Sequence, residues 1–191
     1  MTRWKTSAIL VVSAFGLGGL VALTALNPEG PIENSQTGRT GGAVWNEVAW
    51  PFPLDQWGKG KAFRCTAADC GADIRLYIRA KIGFCNCSTG VTDDDELDRI
   101  SDFDLLANMQ APLAPGREIS VAWMKGRSRP FSLPSTQSGK SALSIGFNDR
   151  CDAIIATAVL SHETPLSVEP TILEFLNSRT VIQWAEVSLG L

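Results

Sequence analysis

The chain has 191 residues, a formal net charge of −3, and a composition that is 45% hydrophobic and 19% charged. So mild a charge excludes a protein that grips nucleic acid by neutralising many phosphates. A lone histidine, His162, excludes a His-rich metal site and removes the commonest general base, so no nucleic-acid partner and no cofactor are expected.

Arg3 and Lys5 precede an unbroken apolar run from Ser7 to Leu26, and the next charges are Glu29 and Glu33. Basic residues before such a run and acidic ones after it keep the amino terminus in the cytoplasm. About 20 apolar residues are enough to cross a bilayer core of roughly 30 Å as a helix. A cleavable signal has a shorter apolar region followed by a small-x-small site, a rule that Leu23-Thr24-Ala25 breaks at Leu23. The reading is therefore one N-terminal transmembrane helix over 7–26, an anchor or uncleaved signal, behind a cytoplasmic tip at 1–6. Residues 27–44 are rich in Pro, Gly, Ser and Thr without periodicity, the composition of a flexible linker. Residues 45–191 then form one extracytoplasmic domain with a proper core. The expected location is the inner (plasma) membrane, single-pass, with the C-terminal domain periplasmic or otherwise extracytoplasmic.

The domain opens with Trp45, Trp50, Phe52 and Trp57, with Pro51 and Pro53 flanking Phe52. Those prolines keep the segment out of a helix interior or a central strand, so it reads as an extended strap on the domain surface. From Asp73 to Phe84, Ile74, Leu76, Ile78, Ala80, Ile82 and Phe84 alternate with Arg75, Tyr77, Arg79 and Lys81. Period two predicts a half-buried strand with its apolar face inward and its basic face outward. Thr92 to Ile100 contains Asp93, Asp94, Asp95, Glu96 and Asp98. Consecutive acids without an intervening Gly do not match a calcium loop; they suit the first turn of a short helix with Thr92 at its N-cap, resuming at 102–108. The helix acids have a simple use in pairing with the basic strand face.

Further strands are expected around Ile119–Trp123, turning at Gly126, and around Leu143–Phe147, turning at Asn148-Asp149. Cys151–Leu160 is almost wholly apolar, as a central strand covered on both faces would be. Pro170 is read as opening a short helix through Leu176, and 180–189 as a closing β segment. Short strands between turns, with one or two short helices, predict a mainly β domain, a β-sandwich or an open barrel.

Five cysteines stand at Cys65, Cys70, Cys85, Cys87 and Cys151. In an oxidising compartment they are read as two disulfides and one spare thiol, with Cys65–Cys70 closing a short loop and Cys85 or Cys87 reaching Cys151. The longer bridge encloses about 65 residues and contributes around 4 kcal/mol in the chain-entropy model. The competing reading uses Cys85 and Cys87 as two thiols on the cationic strand face, with lowered pKa values, exchanging disulfides or holding a soft metal such as Cu(I). Asn86-Cys87-Ser88 also matches a glycosylation acceptor. Gly139-Lys140-Ser141 echoes a phosphate loop, but Pro134 stands where the leading Gly belongs.

The function that fits these features is a non-catalytic binding or accessory subunit of an envelope or membrane complex, partnered by another envelope protein. The candidate contact residues are Trp45, Trp50 and Trp57, the basic strand residues Arg75, Arg79 and Lys81, and the loop residues Arg127 and Arg129. The alternative is a thiol-redox or copper-handling protein built on Cys85 and Cys87.

Overall fold

The computed structural model describes residues 42–106, 110–133, 139–161 and 164–191. The anchor at 7–26, most of the linker and His162 lie outside them. Among the described residues no helix is long and apolar enough to cross a membrane.

The strands are β1 (Asn46–Val48), β2 (Lys61–Cys65), β3 (Ile74–Lys81), β4 (Ala111–Pro112), β5 (Arg117–Val121), β6 (Met124–Leu133), β7 (Lys140–Asp149) and β8 (Asp152–Leu160). They form one antiparallel sheet in the order β1-β2-β3-β8-β7-β6-β4, with β5 also pairing with β6. Among the described residues the strands pair as one open sheet, so the expected sandwich or barrel is corrected to a single sheet with short helices. Among the described residues four α-helices accompany it: α1 (Ala67–Cys70), α2 (Asp94–Ile100), α3 (Pro165–Leu176) and α4 (Arg179–Leu189).

Helices α3 and α4 cover one face. Ile74, Leu76 and Ile78 of β3, Leu143, Ile145 and Phe147 of β7, and Ile154, Ala156 and Ala158 of β8 share a core with Val168, Ile172, Leu176, Val181, Ala185 and Leu189. At about 25 cal/mol per Å² of apolar surface removed from water, this layer supplies the main driving force for folding. The last segment is a helix and not a strand, because Val181, Ala185 and Leu189 recur every four residues and one helical stripe buries all three. Helix α3 begins at Pro165, so Pro170 lies inside it. The carbonyl that Pro170 cannot pair belongs to Leu166, a residue 44% exposed.

The other face is also covered, which explains why β8 is apolar along its length. Leu97 and Ile100 of α2 sit on Ala153 and Ile155, beside Val91 and Cys85. Next to them Phe103, in a 3-10 turn at Phe103–Leu105, packs on Phe131, Leu133 and Ala142. Helix α2 can approach because β7 carries Gly146 beneath it; a Cβ there would meet Leu97 Cδ1 at 2.9 Å. Its N-cap is Asp93, not Thr92, and the Asp93 carboxylate accepts from the Glu96 N–H at 2.7 Å.

Two turns also differ from expectation. The β5–β6 hairpin turns at Ala122 and Trp123, with Ala122 at φ 50°. Gly126 instead lies within β6, where a Cβ would meet the Gly146 carbonyl oxygen at 2.0 Å. Strand β3 stops at Lys81, and Ile82-Gly83 turn the chain with Gly83 at φ 67°.

Candidate functional site

The face of β3 expected to display Arg75, Arg79 and Lys81 to solvent holds two of them inside the protein. Arg79 is 2% exposed and Lys81 4%. Asp102, buried just beyond α2, receives the Arg79 Nε at 3.1 Å and the Lys81 Nζ at 2.8 Å. Lys81 also donates to the Ile100 carbonyl at 2.7 Å. From the strap, Asp55 meets Arg79 at 2.5 Å. Burial acts to raise the Asp55 carboxyl, but hydrogen bonds from Arg79 and the Trp57 N–H outweigh it and hold the carboxyl below its ordinary value. For Arg79, burial works against the charge, and Asp102 and Asp55 reverse that so its pKa rises. A buried charge with two partners is a structural device first, because removing either acid leaves the interior with more cation than anion. Arg75 alone stays exposed, across from Arg64, which pairs with Asp73.

The strap roofs this seam. Trp50 and Phe52 lie edge-on to Tyr77 at 6.1 and 4.9 Å between ring centroids. Trp57 packs on Phe84 at 4.5 Å, and the Lys81 ammonium sits about 5.5 Å from both rings. Trp45 stacks on Phe175 of α3. All three tryptophans expected to greet a partner are half-buried in the domain's own packing.

Arg127 and Arg129 are likewise occupied, on strand β6 and not at a loop tip. Arg127 pairs with Asp94, and Arg129 with Asp98 at 2.6 Å. The acidic helix therefore pairs with β6, not with β3 as its place in the sequence implied. Burial would raise Asp94, yet the Gly116 N–H, Arg127 and Arg129 together lower it. Asp98 is pushed up, chiefly by burial.

Disulfides join Cys65 to Cys70 and Cys87 to Cys151. Cys85 is the free cysteine and is buried. Its thiol is raised to about 11, first by burial and then by Glu96 and Asp152. The expected pair of low-pKa thiols at 85 and 87 is corrected on both counts: one sulfur is bonded, and the other is shielded and protonated at neutral pH. Among the described residues no cluster of three His, Cys, Asp or Glu side chains is placed to hold a metal ion.

Hollows open on the surface of the described residues. One, about 460 Å³, is an open dish lined by Val91, Thr92, Glu118, Ile119, Ser120 and Lys125. Two more, about 150 and 250 Å³, adjoin along the groove between strands β1–β2 and helix α4 and share Glu47, Lys61 and Trp184. Phe63, Ile78 and Val181 line the smaller of these, and Val48, Trp50 and Lys59 the larger. Along this groove β1 is the open edge of the sheet, with all three residues exposed. Past Trp184, α4 shows Val187 at 82% exposure and Leu191 follows at 54%. Trp184 and Val187 fall at i and i+3 on α4, and Leu191 follows the left-handed Gly190 that ends the helix.

Reading the sequence alone missed Trp184, Val187, Asp55 and Asp102. The placing of Val187 was legible in principle, since the four-residue recurrence in 181–189 marks a helix whose opposite side carries it. Compared with family models, curated proteins and solved structures, the chain matches none.

Proposed function

We propose that this chain is an extracytoplasmic, membrane-tethered, non-catalytic binding domain that serves as an accessory subunit of an envelope complex. The observation that carries the proposal is the surface running from the open edge of β1 across Trp184 to Val187 and Leu191. Large apolar side chains gathered at a groove with a charged rim are the usual anatomy of a protein contact. The two disulfides support an oxidising location. The apolar run at 7–26 supports the tether, and the envelope is where such a domain finds its partner.

The test is photo-crosslinking in the native envelope. A photoreactive residue at Val187 or Val48 should give one discrete adduct that Trp184→Ala abolishes, while the same residue at Arg150, 84% exposed at its side chain, should give none. Equal, diffuse labelling at all three positions would exclude this surface as the contact. A reporter after Leu191 that is active only outside the cytoplasm tests the location.

A further inference from the structure

Three sulfurs, not two, converge beside the β7–β8 turn. Cys87 is bonded to Cys151, with the two Cα atoms 4.1 Å apart. Cys85 is tied to the same turn twice: its N–H donates to the Cys151 carbonyl at 3.1 Å, and its thiol to the Arg150 carbonyl at 3.2 Å. These two bonds hold Cys85 against the same turn that carries Cys151, and a disulfide bridges Cα atoms about 4.4–6.8 Å apart. Cys151 thus has one cysteine bonded to it and a second hydrogen-bonded to its own backbone.

We propose that Cys85 and Cys87 are interchangeable partners of Cys151, so that the domain holds a built-in disulfide isomer switch. The Cys85 sulfur, as thiolate, attacks the Cys151 sulfur. The Cys85–Cys151 bond forms, the Cys87–Cys151 bond breaks, and Cys87 leaves as thiolate to take up the proton that Cys85 gave. One S–S bond replaces another, so no oxidant or reductant is consumed. The two cross-links close loops differing by two residues, and chain entropy is nearly indifferent between them.

What separates the isomers is where the spare thiol lies. In the observed form it is Cys85, 6% exposed, beside Val91, Leu97 and Ile100. In the other form it is Cys87, on the exposed turn Asn86–Gly90, whose backbone closes through Gly90 N–H to the Asn86 carbonyl at 2.7 Å. The charged groups facing Cys85 are Glu96 and Arg99 on α2 and Asp152 on β8; burial and the two acids together outweigh Arg99. An exposed thiol ionises near 8.5, whereas Cys85 does so at about 11. Between those values the Cys87-free isomer has released a proton that the other retains. Rising pH therefore favours it, about tenfold per unit. The exchange is a property of this turn and does not rest on the binding surface at α4.

The test uses the full-length protein held at pH 7 or 9.5 with its fold followed by circular dichroism, then quenched in acid, unfolded and labelled with N-ethylmaleimide. Fragment-ion mass spectrometry reads whether Cys85 or Cys87 carries the label. At pH 7 the label should lie mainly on Cys85. At pH 9.5 the Cys87-to-Cys85 ratio should rise at least fivefold, with Cys65–Cys70 unchanged. Cys87→Ser, oxidised with glutathione, should form Cys85–Cys151. A ratio that does not move in the folded protein overturns the proposal, and it decides even where Cys87→Ser does not fold; a folded Cys87→Ser with Cys85 and Cys151 both free overturns it as well.

Discussion

The two faces of the sheet are covered in different ways. Against α3 and α4 the contact is almost entirely hydrocarbon, and its buried acid, Glu169, is met by Ser128 and Arg117. Against the strap and α2 two smaller apolar clusters are joined by charge: Asp55 and Asp102 on Arg79 and Lys81, Asp94 and Asp98 on Arg127 and Arg129. Apolar layers tolerate some repacking, whereas a buried ion network fails when one member is removed. The charged face should therefore be the more brittle one.

Asp102→Ala removes the acid that two buried cations share and should cost about 3–5 kcal/mol, read as a lowered urea midpoint. A loss under about 1 kcal/mol would mean that solvent reaches the seam. Ile172→Ala on the helical face leaves a cavity and should cost about 2–4 kcal/mol, without loosening the strap as judged by hydrogen exchange at Trp57. Asp94 tests the charged face by pH. Its folded pKa is depressed, so its contribution is complete above the ordinary carboxylate value and fades as pH falls through the lowered one. Asp94→Asn should lower stability by about 1–2 kcal/mol at pH 7, a difference that closes in acid. Arg75→Ala, on the one basic residue of β3 left in water, should change stability by less than about 0.5 kcal/mol.

This contrast also decided what was readable in the sequence. Strands β3, β7 and β8 were legible because alternation or continuous apolarity states how many faces are buried. Cys65–Cys70 was legible from its short spacing. The charges on β3 were misjudged because alternation shows that one face differs from the other, not whether something polar comes to lie over it. Asp102 and Asp55, which make burial of Arg79 and Lys81 tolerable, lie about 20 residues away on either side and leave no periodic trace. The acids of α2 found Arg127 and Arg129 because β6 is brought under the helix by the order of the sheet, which pairing rules alone do not give. Helix α4 was misread as β because Thr180, Val181 and Ile182 favour strands locally, while tertiary burial of Val181, Ala185 and Leu189 prevails. The placing of Trp184 and Val187 on one side of α4 was lost with it.

A stapled scaffold, as against a thiol reagent, is tested most directly by counting accessible sulfurs in the folded full-length protein at pH 7. The fold predicts no rapid reaction with a maleimide in the folded state, and on unfolding a single label at Cys85. Two thiols at Cys85 and Cys87 that react at once in the folded protein would contradict it.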